Sequence, residues 1–133
     1  MKLLLAAFAF ALTGALAAHA QDGAPIAFTQ AQAEHGGETY AERCASCHGA
    51  NLNDGQFAPS LKGAHFKADW GGKSAGALFG YMSANMPPGQ AGVLSSDDYA
   101  ELMAFLLQAG GSRAGEKPLP ADAQMLSALT LPK

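Results

Sequence analysis

The sequence predicts an all-α domain with long connecting loops, and three observations predict it. Apolar residues recur at helical spacing in segments that open on Ser or Thr and close on Gly or Pro. No stretch alternates apolar and polar residues at the strand period. Sixteen glycines and seven prolines gather largely between the helical segments.

The first helix is expected after Thr29, a residue type that suits an N-cap, and runs to about Arg43. Gly36 and Gly37 lie inside it, and each glycine weakens a helix by about 1 kcal/mol relative to alanine. Close packing against a second helix is the usual reason for such a cost. Residues 49–73 are rich in Gly, Asn, Asp and Pro and read as loops, with one helical turn near 67–70. Ser74 caps a second helix reaching about Asn85. Pro87 and Pro88 stop it, since proline lacks an amide donor and restricts the residue before it. Ser95 or Ser96 caps a third helix through Gln108, with Asp97 and Asp98 in the first turn, where the helix dipole favours anions. Tyr99, Leu102, Met103 and Leu106 form its apolar stripe, Phe105 lies beside them, and Gly110-Gly111 ends it. The remaining tail reads as looser, punctuated by Pro118 and Pro120, with a short amphipathic helix over 122–129.

A length of 133 residues allows one domain. Residues 1–20 read as a cleaved secretory leader: a basic Met1-Lys2 start, an uncharged apolar run over 3–12, and the small-x-small Ala18-His19-Ala20 before the cut. The run is too short for a membrane span, which needs roughly 20 apolar residues; an uncleaved N-terminal anchor is the alternative. The rest divides into a linker over 21–28, the domain over 29–109 and a Pro- and Gly-containing extension over 110–133. The formal charge is −3, and losing Lys2 with the leader makes the chain more acidic still. Such a chain does not bind nucleic acid or anionic lipid through charge. So short a polypeptide buries a modest core, which a bound apolar group would complete.

Cys44-Ala45-Ser46-Cys47-His48 carries the chemistry. Two thiols at this spacing on a helix end reach two vinyl groups on one edge of a porphyrin, and the following imidazole projects to the iron. C-x-x-C-H is the sequence sign of c-type haem attachment. Each alternative lacks a part. A thioredoxin-like pair needs a βαβ setting. A zinc site needs four ligands, and the chain has two cysteines only. A structural disulfide across so short a loop restrains the unfolded chain little. One covalent haem c is therefore expected, with Cys44 and Cys47 as attachment points and His48 on the metal.

Gly36-x-x-x-Tyr40-x-x-x-Cys44-x-x-Cys47-His48-Gly49, followed by Ala58-Pro59-Ser60-Leu61 and by Asn85-Met86-Pro87-Pro88-Gly89, resembles the class I cytochrome c family over roughly residues 33–109. The resemblance implies a small helical fold whose long loops wrap around the haem. It also implies a second axial ligand. His35, His65, Met82, Met86, Met103 and Met125 are the candidates; Met103 and Met82 lie on helices and read as packing, and Met125 belongs to the tail. The family pattern of Met before Pro points to Met86, with Met82 and His65 as alternatives. The carbonyl of Pro59 would orient His48, although Pro59 also reads as a plain turn residue. Leu61, Phe66, Leu78 and Tyr81 would form the apolar pocket, or ordinary core. Trp70 would reach a propionate or cover the ring edge. Lys62, Lys67 and Lys73 mark a docking rim or a solvated surface. Gly36 would let the first and last helices cross closely, with Tyr40 against Phe105 and Leu102.

The function that this resemblance implies is periplasmic electron transfer between redox protein partners, with the iron cycling between Fe(II) and Fe(III) under His/Met ligation. The chain would be a monomer or a subunit of a larger redox complex, with no membrane span in its mature form. Two other roles remain: a cytochrome subunit of a periplasmic dehydrogenase, such as a quinoprotein alcohol dehydrogenase, or of an oxidase complex; and a haem-based ligand sensor.

Overall fold

A computed structural model describes residues 24–133. The leader expected over 1–20 lies outside them. The order of elements is β1 (Ala24–Pro25), α1 (Gln30–Arg43), α2 (Ala45–His48), α3 (Gly63–Trp70), α4 (Ala75–Asn85), α5 (Ser96–Ala109), α6 (Ala123–Ser127) and β2 (Leu129–Thr130).

Capping explains where the helices begin. The Thr29 hydroxyl accepts from the Gln32 amide at 3.2 Å, and the Gln32 side chain accepts from the Thr29 amide at 3.2 Å. Ser95 and Asp98 make the same reciprocal box at the start of α5. Ser74 caps α4 and Asp122 caps α6. Each box satisfies amides that a helix start would otherwise leave without partners.

The helices α1 and α5 cross at Gly36. A methyl group there would overlap the Glu101 carbonyl and sit 2.8 Å from the Leu102 nitrogen. Glycine is the residue that admits this approach, which accounts for its cost within the helix. One turn on, the Tyr40 and Phe105 rings meet at 5.2 Å between centroids. Met103 is fully buried, and Tyr99, Leu102 and Leu106 are buried with it, so the apolar stripe of α5 faces the core.

Three features differ from the sequence reading. The turn expected near 67–70 is a helix from Gly63, because Gly63 adopts φ +74° and turns the chain into it. Two short strands lie among the described residues: β1 and β2 pair in parallel, Ala24 with Leu129 and Pro25 with Thr130. A pair of two-residue strands is too short to alternate visibly, and its partners are far apart in sequence. Finally, the tail is not loose. Leu119, Leu126 and Leu131 are buried, α6 packs on α4, and Gln32 exchanges hydrogen bonds of 2.9 and 2.8 Å with the Leu119 backbone. The preceding segment is equally engaged: Phe28 is fully buried, and its carbonyl accepts from the Gly115 amide at 2.8 Å.

Candidate functional site

Cys44 sits where α1 gives way to α2. Its amide donates to the Tyr40 carbonyl at 2.9 Å, closing α1, while its carbonyl accepts from the His48 amide at 3.0 Å, opening α2. The single turn of α2 thus presents Cys44, Cys47 and His48 in one short stretch. Gly49, at φ +87°, turns the chain away; a side chain there would overlap the Asp54 carboxylate and the Gly55 amide. Both thiols are free, Cys44 half-buried and Cys47 exposed.

His48 is 8% exposed. Its Nδ1 lies 2.8 Å from the Pro59 carbonyl oxygen. A carbonyl only accepts, so Nδ1 carries a proton, and in the neutral ring Nε2 is the nitrogen left with a lone pair. The loop carrying Pro59 is braced in turn. The Leu61 amide donates to the Leu52 carbonyl at 2.7 Å, and Leu52 is buried with φ +63°, a left-handed conformation uncommon for a side chain of its size. Asp54 accepts from the Asn51 backbone and side chain at 2.9 and 2.7 Å, and these bonds hold its carboxyl below the usual range.

Electrostatics favour neutral groups beneath the turn. Burial, then the nearby Cys44 and Asp54, pushes the Tyr40 phenol up to about 12; its hydroxyl donates to the Gly49 carbonyl at 2.6 Å. Burial and then Cys47 raise the Cys44 thiol. A thiol held above its ordinary value is a weak nucleophile.

Met86 caps α4 in an extended conformation, φ −123° and ψ 138°. Its amide donates to the Met82 carbonyl at 2.8 Å, and its own carbonyl accepts from the Tyr99 hydroxyl at 2.7 Å. The loop behind it is tied back by the Gly92 amide on the Ser83 carbonyl at 2.9 Å.

Cys44, Cys47, His48, Pro59, Leu61, Trp70 and Met86 all line one cleft of about 930 Å³. Phe66, Leu78, Tyr81 and Met82 share its walls. His65 is exposed on α3 and does not line it. Met103 lies in the core, and Met125 is 63% exposed on the tail. Sequence reasoning missed Tyr99, Leu102, Leu106 and Leu94 as cleft residues. On an apolar helical stripe, nothing distinguishes a residue that faces the core from one that faces a ligand.

The donor set fits a haem: two thiols and a buried imidazole with a free Nε2 on one short stretch, and thioether and apolar side chains on the walls. The cleft has the size of a cofactor site, which runs to roughly 1,000 Å³. Among the described residues, no three His, Cys, Asp or Glu side chains group to hold a bare metal ion, which leaves the zinc reading without ligands.

Helical fold and haem-type cleft together define a class I c-type cytochrome. The family model described as "Cytochrome C oxidase, cbb3-type, subunit III" matches residues 31–106, more than half of the chain, and the protein belongs to this family. No curated protein and no solved structure matches it. Membership brings haem-based electron transfer, a covalently held haem c and redox partners. No helix among the described residues is long and apolar enough to cross a membrane.

Proposed function

We propose that this protein is a periplasmic electron carrier holding one haem c, with thioether bonds from Cys44 and Cys47 and with His48 Nε2 and the Met86 sulfur as axial ligands. When bound, the haem supplies a one-electron Fe(III)/Fe(II) couple. The chain does the rest. Pro59 holds the imidazole in the tautomer that leaves Nε2 for the metal. Tyr99 and the Met82 carbonyl hold the backbone of Met86, so that a weak thioether ligand need not be ordered at the moment of binding. Leu61, Trp70 and their neighbours exclude water. His48 and Met86 would both hold the iron, an arrangement that suits electron transfer over chemistry on a substrate.

The observation that carries this reading is the 2.8 Å contact between His48 and Pro59 on the wall that also presents both thiols. Residues 1–20 would direct export, residues 29–109 would form the haem domain and residues 110–133 its extension. The intact mass and visible spectrum of the exported protein test it. The expected mass is that of a chain beginning near Gln21 plus one haem, with a low-spin Met/His spectrum. A colourless protein weighing no more than its polypeptide would end the proposal.

The description of the matching family favours one second reading, a cytochrome subunit of an oxidase complex. Copurification from native membranes with an oxidase, at fixed stoichiometry, would select it over a free carrier.

A further inference from the structure

We infer that the C-terminal strap, residues 129–133, is a positioning element for the haem cleft: it fixes the segment carrying Trp70 and Lys73 and closes the cleft wall from behind. The inference rests on the haem reading above.

The strap lies between two parts of the chain. On one side β2 pairs with β1. On the other, the Gly72 amide donates to the Leu131 carbonyl at 3.0 Å and the Leu131 amide donates to the Lys73 carbonyl at 2.9 Å. This reciprocal pair pins the turn that follows α3. Gly72 faces the strap: it adopts φ +79°, and a methyl group on it would come within 3.0 Å of the Lys133 side chain, whereas a methyl group on Gly71 would first meet the Lys67 carbonyl of α3, with the Lys133 Cα and the Pro132 carbonyl 3.3 Å away. Gly71-Gly72 has no role in the haem motif, and the strap supplies one.

The pinned turn holds a side chain of the cleft. The Lys73 amide donates to the Trp70 carbonyl at 3.0 Å, the Lys73 ammonium lies 5.1 Å from the centre of the indole, and Tyr81 meets the indole at 5.3 Å between centroids. Behind this lies a second, small cavity of about 40 Å³, to which Leu131 and Pro132 contribute. Phe66, Trp70, Leu78 and Leu106 line both the small cavity and the main cleft. They form a partition one side chain thick, and the strap is part of the far wall. Leu131 is 4% exposed, so the seal is apolar.

A partition this thin controls how much water reaches the haem, and burial is one of the levers that set the potential of a haem iron. Loosening the strap admits water, favours the more highly charged Fe(III) state and lowers the potential. The strap lies beyond residues 31–106, the span that the family model matches.

The test uses the mature holoprotein and three variants: Leu131→Ala, deletion of residues 129–133, and Leu126→Ala. Leu126 is also fully buried in the tail but lines neither cavity, so it reports general destabilisation. Two readouts follow: the midpoint potential, and the emission of Trp70, the chain's one tryptophan, which a nearby haem quenches. Both strap variants should lower the potential and raise emission and its sensitivity to acrylamide, while Leu126→Ala lowers the melting temperature and moves neither. If the deletion fails to mature, Leu131→Ala decides. Wild-type potential and emission in a haem-loaded Leu131→Ala protein would overturn the inference, as would an equal shift in Leu126→Ala. A wild-type protein without covalent haem would defeat the underlying haem reading instead, so the two failures are distinct.

Discussion

The imidazole of His48 donates through Nδ1 to the carbonyl of Pro59, which joins the Cys44–His48 turn to the loop on the other side of Gly49. The acceptor is a backbone atom, so no substitution at position 59 removes it. What proline adds is a fixed φ that limits where the carbonyl can go. Pro59→Ala should therefore keep the low-spin spectrum of the holoprotein while lowering stability by about 0.4–1 kcal/mol through a freer unfolded chain. Urea unfolding with the visible spectrum recorded at each step checks this. A shift to a high-spin spectrum in the folded variant would show that the carbonyl cannot hold the imidazole without the fixed φ of proline.

The crossing of α1 and α5 makes an opposite pair of predictions for two helical glycines. A methyl group at Gly36 meets only backbone atoms of Glu101 and Leu102, which cannot move aside without shifting α5. Gly36→Ala should destabilise by about 1–3 kcal/mol. At Gly80, inside α4, nothing lies within 4 Å of the added carbon. Gly80→Ala should stabilise by about 0.5–1 kcal/mol, the ordinary gain of alanine over glycine in a helix. Denaturation midpoints of the two holoproteins decide it, and midpoints shifted in the same direction would contradict the crossing geometry.

These two glycines also show what the sequence reveals and what it hides. Gly36 is legible as an anomaly, because a costly residue within a capped helix demands a close neighbour. Ser74, Ser95 and Thr29 are legible as helix starts, because capping is local chemistry. The Cys44–His48 run is legible for the same reason. The start of α3 is not, since Lys62 stands at its N-cap without a side-chain bond and the turn depends on the φ of Gly63. The strap is invisible because its partners, Ala24–Pro25 and the turn at Gly72, are distant in sequence. Leu119, Leu126 and Leu131 are buried without any period, separated by a proline and a short helix, so no pattern marks them as core. Tyr99 belongs to a recognisable stripe, but which carbonyl its hydroxyl meets is settled by tertiary packing alone.

Tyr40 gives the pH dependence a sign. Its folded pKa of about 12 stands above the ordinary 10.0. In alkali the unfolded chain therefore loses this proton first, and stability falls as pH rises. The contribution is complete below the unfolded value and is lost between 10.0 and about 12. The difference from Tyr40→Phe isolates the phenol from every other group. That variant lacks the bond to the Gly49 carbonyl and should be less stable at neutral pH by about 1 kcal/mol. Its deficit should shrink as the pH climbs. Parallel unfolding curves for the two proteins across this window would assign the alkaline loss to other groups.

Met86 and Tyr99 separate the proposed ligand from the group that holds it. Met86→Ala removes the thioether from the cleft, so the haem-loaded variant should bind carbon monoxide readily at neutral pH and show a lower potential than the parent. Tyr99→Phe leaves the sulfur in place but takes the donor from the Met86 carbonyl, now 2.7 Å from the hydroxyl. A carbonyl left without its partner costs about 1–3 kcal/mol, and that cost falls on the loop rather than on the helix beneath it. The expected signature is a split: the long-wavelength Met–Fe(III) absorption persists at room temperature but disappears at a lower temperature than in the parent, well before α5 melts by circular dichroism. A thioether is a weak ligand, so its retention depends on how little freedom its backbone has. If Tyr99→Phe lost the absorption only together with the helices, the loop would owe its order to packing and not to this hydrogen bond. If Met86→Ala kept the absorption, the ligand would be Met82, which shares the same wall.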